Sequence, residues 1–491
     1  MSGISKRNPD FWIPIFLFVI NFIPALLLIN EGLFHMDAVV LAEAVEKTYQ
    51  TGVLQQAVLG RMGAVLVNSI LYLPFYWAGQ NADFVTRFSS VLFQSLSAVA
   101  AYLFIKELLK DRMSAIFAAL LFSFTPFYFV PNTYGKEHGM SMFFMLMSFW
   151  SLLRGLVRQR PQEAALASAL FVLAVSIRES ILLMLPVYFL LYCLPIKGLL
   201  PESIPYSSRY AGRMLAALLL PLTAGLVFLG QTYLVSALAT ITVKQGGGIY
   251  KFMGIISRKT GYAFIDAVVC VSPVIMVAVI AALFLMWVSG EWALLALLLA
   301  WAGQFFLSAN TNFYSPRHLD TAIVASHVMA GYSLGWLFRR CRLVAIGIVL
   351  TAMASMWSLM YPMLDFRRAY NGEKRTALFV KALTEPDAVV ITQDQSVFVD
   401  YYGRRTPLWI PLDDPEGMER FFQDVRMLLQ RGTPVYYTFS PYLPREAQLV
   451  PIAERFQYRQ IGEVLSEDYH RPEISFRTHL QKLYRILAPK S

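Results

Sequence analysis

The sequence predicts a polytopic α-helical membrane protein, of about eleven transmembrane helices, with a C-terminal extracytoplasmic α/β domain. Three observations carry this. Of 491 residues, 57% are hydrophobic and only 15% charged, whereas soluble domains carry about 25% charged residues. Mean hydropathy is +0.51, more apolar surface than a globular core absorbs, although a bilayer can take it. The composition changes near residue 365: residues 1–364 hold 24 Lys+Arg against 15 Asp+Glu, and residues 365–491 hold 18 against 17. The expected domains are therefore 1–364, spanning the membrane, and 365–491, a soluble unit long enough for its own core.

Eleven apolar runs are read as spans, at about 11–30, 84–106, 114–131, 138–153, 164–177, 180–196, 214–236, 264–288, 292–309, 320–338 and 343–362. The first follows Lys6 and Arg7 and lacks a small-residue cleavage site, so it reads as a retained signal anchor. One alternate set of short loops holds 14 basic residues, among them Lys106, Arg154, Arg213 and Arg339. The other set holds nine in longer loops, among them Lys47, Arg61, Lys136, Arg178, Lys244, Lys251 and Arg317. Cytoplasmic loops collect Lys and Arg, so the N-terminus is expected in the cytoplasm and the C-terminal domain outside, in a plasma or inner membrane.

The first outer loop, about 31–83, contains the amphipathic run LAEAVEKTYQ, with Glu43 and Lys47 four apart. It is expected to lie in the membrane interface. Gly246-Gly247-Gly248 marks another outer loop. After residue 365, AVVIT (388–392) and PVYYTF (434–439) read as strands. Between them, DPEGMERFFQDVRMLLQRG reads as a helix capped by Asp413 or Asp414 and ended by Gly432.

Four polar clusters stand beside the spans. His35-Met36-Asp37 follows the first. Asp37 could take a proton from an acceptor, and it also stands where a helix N-cap would. The stretch Asn132 to His138 packs Tyr134, Lys136, Glu137 and His138 into a short turn that either lines a cavity or is simply solvated. Arg178 and Glu179 are adjacent where the chain reverses, either functional at membrane depth or paired locally. In NTNFYSPRHLD (310–320), Arg317 and His318 could bind a phosphate, or Arg317 could snorkel.

Other classes are excluded. The three cysteines, Cys193, Cys270 and Cys341, have no metal-like spacing, and six scattered histidines make no metal set. No phosphate loop, GxSxG or HExxH occurs. No cofactor is expected; a divalent metal is possible but not indicated. The net charge of +10 lies with the membrane part, so it is not a nucleic-acid footprint.

Topology and clusters together resemble the GT-C superfamily of membrane glycosyltransferases, nearest to family 39 and the dolichyl-phosphate-mannose protein mannosyltransferase type. The resemblance spans roughly residues 10–362 and rests on HMDAVVLAEAVEKTYQTG, KEHGMSMFF and YSPRHLDTAIVA. It implies that Asp37 is the base or acceptor-positioning residue, and that Arg317 meets the donor's lipid phosphate, with His318 and Arg178 as alternatives. It implies a looser catalytic role for Glu137, and a cavity that includes His35, Tyr134, Lys136 and His138. The family often has Glu directly after the first-loop Asp; here Ala38 follows. The implied reaction moves a sugar, with inversion, from a polyprenyl-phosphate donor to a lipid, glycan or protein acceptor at the outer face. A transporter or flippase would also carry polar groups among its spans, but its polar sites often lie near the midplane, within repeats. An assembly protein would leave the clusters unexplained. Reporter fusions after Lys110 and after Tyr370 should give opposite readouts of membrane side; matching readouts would remove the eleven-span arrangement.

Overall fold

The computed structural model describes residues 9–57, 61–193, 208–243, 258–310, 316–392, 395–411, 414–438, 445–470 and 475–490. Gly246-Gly247-Gly248, Ser315 and Asp413 lie outside the described residues, as do Lys6, Arg7, Lys197, Lys244 and Lys251 of the basic residues counted above. The chain forms two compact units, one of Met1–Ile29 and Ala44–Leu364, the other of Asn30–Glu43 and Asp365–Ser491.

The first unit is helical. Its elements begin with α1 (Pro9–Leu27), α2 (Met36–Thr51, which runs in from the second unit), α3 (Met62–Trp77), α4 (Ala82–Leu109), α5 (Arg112–Ser123), α6 (Pro126–Thr133), α7 (His138–Arg158) and α8 (Pro161–Ile177). A 3-10 turn (Glu179–Met184) leads to α9 (Leu185–Cys193), α10 (Ser208–Val243), α11 (Arg258–Val271), α12 (Pro273–Val288) and α13 (Trp292–Ala309). A second 3-10 turn (Pro316–Leu319) precedes α14 (Asp320–Arg340) and α15 (Arg342–Ala369). Where described, the eleven apolar runs fall mainly on helix, three of them on broken helix. Among the described residues, six helices can cross a membrane by length and composition, or eight if each bent pair is one span; α1, α3, α8 and the stretch from Glu179 to Cys193 are shorter apolar pieces.

The breaks and ends have local causes. Pro126 and Pro273 each open the helix after a break, because a missing N–H costs nothing in a first turn. At the first of these breaks α5 and α6 bend by 54°. Lys110 and Gln159 end α4 and α7 in the left-handed region, at φ 51° and 53°. Asp111 then caps α5, accepting from the Ser114 amide at 3.0 Å. Close approach needs glycine at two places. A Cβ on Gly139 of α7 would stand 2.7 Å from the Gln94 amide nitrogen of α4, and one on Gly331 of α14 would stand 2.5 Å from the Ser114 carbonyl of α5.

The second unit holds α16 (Gly372–Leu383), β1 (Val389–Thr392), α17 (Ser396–Tyr401), β2 (Thr406–Trp409), α18 (Pro415–Gln430), β3 (Val435–Thr438), α19 (Arg445–Arg455), β4 (Phe456–His470) and β5 (Ser475–Pro489). The strands form one sheet in the order β2-β1-β3-β5-β4. The β1–β2 and β1–β3 pairs are parallel; β3–β5 and β4–β5 are antiparallel. Alternation along the strands supplies two faces: Ile391, Val435 and Tyr437 pack on Phe421, Phe422 and Val425 of α18. Val390 and Tyr436 pack on Val380 and Val399 of α16 and α17. Gly432, at φ 78°, ends the α18 region as expected. Asp414 occupies the cap position, but its side chain makes no cap hydrogen bond, which corrects the expected cap. Residues 31–43, assigned above to the first outer loop, belong to this unit. The Leu33 amide donates to the Tyr402 hydroxyl at 2.9 Å, Asn371 Nδ2 donates to the Leu33 carbonyl at 3.1 Å, and Lys374 Nζ donates to the Glu31 carbonyl at 3.1 Å.

Candidate functional site

Two buried ion clusters lie where the helices of the first unit end. The first is built on Arg61, which precedes α3. Its Nη1 donates to Glu137 Oε1 at 2.7 Å, while Nε and Nη2 donate to Glu179 Oε2 and Oε1, each at 3.0 Å. One guanidinium thus faces two carboxylates, a fork matched to the two oxygens of Glu179. Glu137 sits just ahead of α7 and Glu179 opens the first 3-10 turn, so Arg61 ties three chain segments together.

The second is built on Asp320, the first residue of α14, whose side chain is fully buried. Arg178 Nη1 donates to its Oδ2 at 2.5 Å, and His138 Nδ1 lies 2.7 Å from the same oxygen. A carboxylate only accepts, so His138 carries its proton on Nδ1. The Thr321 amide donates to the other oxygen at 2.8 Å. His318 stands within electrostatic range of Arg178, Arg317, His138 and Asp320. One guanidinium and one imidazole therefore hold the carboxylate, with His318 in electrostatic range and Arg317 next to His318 in the chain, a set that can receive an anionic oxygen group.

Side chains of α4 hold the turn that carries His138. Ser90 Oγ donates to the Lys136 carbonyl at 2.5 Å, and Ser97 Oγ to the Gly139 carbonyl at 2.8 Å. Asn132 Oδ1 accepts from the Gly139 amide at 2.7 Å. Tyr134, Lys136, Glu137 and His138 are all buried, so this is not a solvated turn. Nor do Arg178 and Glu179 pair locally. Arg178 is extended, at φ −151° and ψ 115°, and successive side chains of extended backbone point apart. Arg178 turns to Asp320 and Glu179 to Arg61.

The structure thus gathers Glu137, His138, Arg178, Arg317 and His318. His35 and Asp37 belong to the second unit. There the Asp37 amide donates to His35 Nδ1 at 3.2 Å, and His35 Nδ1 lies 3.6 Å from Asp37 Oδ2. Asp37 is not the N-cap: the His35 carbonyl accepts from the Ala38 and Val39 amides, which puts Asp37 inside the first turn of α2, where a carboxylate suits the helix dipole. Sequence reasoning missed Arg61, counted only as a loop cation, and Asp320, which closes the quoted NTNFYSPRHLD motif. Their signal was the presence of ionisable groups at span ends, which need partners there.

The fold, with its many apolar helices, is that of a polytopic membrane protein, and part of the chain resembles the protein mannosyltransferases. Residues 64–224, from α3 into α10, match the family described as dolichyl-phosphate-mannose-protein mannosyltransferase. No curated protein matches the chain in sequence. Among solved structures, it is similar to the archaeal oligosaccharyltransferase AglB from Archaeoglobus fulgidus, in complex with an inhibitory peptide and a dolichol-phosphate. That match has a TM-score of 0.61 at 12% identity and covers 96% of this chain and 75% of that one. It is similar to ArnT from Cupriavidus metallidurans bound to undecaprenyl phosphate, with a TM-score of 0.60 at 12% identity, covering 98% of each chain. It is also similar to the arabinofuranosyltransferase AftD from Mycobacteria, with a TM-score of 0.59 at 13% identity, covering 99% of this chain and 40% of that one. At such identities the likeness is one of fold.

Removing one partner of a buried ion pair costs about 3–5 kcal/mol. Arg61→Ala should therefore lower stability by about that much in detergent unfolding, and adding Glu137→Gln and Glu179→Gln should recover part of the loss. A loss below about 1 kcal/mol, the size of a surface pair, would mean that Arg61 does not tie these segments together.

Proposed function

We propose that the chain is a glycosyltransferase that moves a sugar from a polyprenyl-phosphate-linked donor to a lipid, glycan or protein acceptor at the outer face of the membrane. The carrying observation is the meeting of Arg178, His138 and His318 at Asp320, with Arg317 adjoining His318 in the chain. Similar folds that hold undecaprenyl phosphate or dolichol-phosphate support a lipid-phosphate donor. The loops that meet, before α7, after α8 and before α14, all belong to the set with fewer basic residues, which supports an outward site and an inner or plasma membrane location.

The acceptor oxygen attacks the anomeric carbon, and the bond from that carbon to the phosphate oxygen breaks. Its electron pair leaves with the phosphate, and the anomeric centre inverts. Charge therefore grows on the leaving phosphate. Stabilising such charge is usually the largest catalytic contribution, and Arg317 is assigned to it because its planar fork meets two oxygens. His318 lies within electrostatic range of both Arg317 and Arg178, and it and Arg178 are the alternatives for the phosphate. The acceptor's proton goes to Asp37, an assignment that rests on the family resemblance. Glu137, already engaged by Arg61, holds that cation instead of acting as a base. The second unit is assigned to acceptor recognition or complex assembly.

The test is incubation of the purified protein with labelled polyprenyl-phosphate sugars and a cell-envelope extract, without an ion gradient. The expected result is sugar transfer. Arg317→Lys should keep some donor affinity and lose most of the rate, and Arg317→Ala should lose both. Asp37→Asn should lower the rate by about 10²–10⁴, the size of general base catalysis. Wild-type affinity and turnover in both Arg317 variants would reduce Arg317 to a snorkelling residue.

A further inference from the structure

An apolar groove of about 390 Å³ lies between α12, α14 and α15. Val274, Ala278 and Leu285 of α12, Ser333 and Trp336 of α14, and Ile348 of α15 help to line it. The Ser333 hydroxyl is spent within the wall, donating to the Ala278 carbonyl at 2.7 Å. An occupant therefore meets hydrocarbon along nearly the whole groove. From Val274 to Leu285 the wall rises about 16 Å at 1.5 Å per residue. Half the hydrocarbon core of a bilayer is about 15 Å, so the groove has the depth of one leaflet.

One end of the groove is cationic. Trp336 stands one turn before Arg340, whose guanidinium lies 3.9 Å from the centre of the Trp336 ring. Arg342 opens α15, with its guanidinium 5.8 Å from the Phe338 ring. Both arginines are exposed. Arg339 is instead held by Asp111 at 3.2 Å. Two exposed guanidinium groups thus follow directly on the helix that forms one wall of an acyl-length trough.

We propose that this groove binds one acyl chain of an anionic phospholipid, with the headgroup phosphate on Arg340 and Arg342. Hydrocarbon burial supplies the affinity, and the two arginines supply the preference for negative headgroups. The phosphate of a polyprenyl donor is not the group placed on Arg340 and Arg342. It is assigned to the Asp320 end of α14, and Arg340 closes the other end of that 21-residue helix, about 30 Å away.

The test titrates the full-length chain, in mild detergent, with dioleoyl phosphatidylglycerol and separately with dioleoyl phosphatidylcholine, and counts bound lipid by native mass spectrometry. One phosphatidylglycerol per chain should bind at least tenfold tighter than phosphatidylcholine. The double variant Arg340→Gln/Arg342→Gln changes only exposed side chains and should remove that preference. Ala278→Phe, which fills the trough, should weaken both lipids. Equal affinity for the two lipids, or a preference that survives in the arginine variant, would overturn the proposal. Displacement of phosphatidylglycerol by an equal amount of undecaprenyl phosphate would also overturn it, by giving the groove to the donor's tail.

Discussion

The buried carboxylate of Asp320 fixes where two side chains from distant parts of the chain come to rest. An ion removed from water costs several kcal/mol unless a partner and hydrogen bonds replace the lost solvent, and at the end of a membrane helix little water is at hand. Asp320 meets that requirement in full: Arg178 and His138 share one oxygen, and the Thr321 amide takes the other. The starts of α7 and α14 and the end of α8 are thereby joined. Arg61 does the same with opposite charge, one cation between Glu137 and Glu179. Because Glu137 adjoins His138 and Glu179 adjoins Arg178, the two clusters share the same chain segments.

Close packing makes that sharing possible. Gly139 lets α7 press onto α4, and Ser90, Ser97 and Asn132 fix the backbone on either side of His138. The imidazole is therefore delivered to Asp320 by a turn whose polar groups are satisfied within the protein. Lower on α14, His327 stands 2.9 Å from Thr125 Oγ1 and 2.8 Å from the Ile323 carbonyl. The break between α5 and α6 is thus tied to the helix that carries Asp320. A rigid surround of this kind is what leaving-group stabilisation needs, since donors already aimed need no reorganisation during reaction.

Much of this was legible because hydrophobic runs and local turn chemistry are written in consecutive residues. The apolar runs, the strands around residues 390 and 436 and the helix before Gly432 all carry such local signals. Polar density also marked the turn at Glu137-His138 and the pair Arg178-Glu179. What could not be read was which charge meets which, because the partners lie 118, 142 and 182 residues apart. Adjacency misled at Arg178-Glu179, where extended backbone sends neighbours in opposite directions. The long β4–β5 hairpin escaped for another reason. Its strands, such as FQYRQIGEVLSEDYH, mix charged and apolar residues, and their register slips near Gln457 and Gln460, so no clean alternation survives. The hydrogen bonds of the Glu31 and Leu33 backbone to Tyr402, Asn371 and Lys374, at α16 and the end of α17, leave no mark in the local sequence.

The central claim is that the basic cluster gathered by Asp320 takes the phosphate of a polyprenyl carrier. The most direct measurement is solid-state NMR dipolar recoupling between the phosphorus of bound undecaprenyl phosphate and arginine guanidinium nitrogens in the full-length protein. The account predicts a contact at hydrogen-bonding range in the wild-type chain that is lost in Arg317→Lys. Carrier that binds with no phosphorus–guanidinium contact, or a contact that is unchanged in both Arg317→Lys and Arg178→Lys, would contradict it.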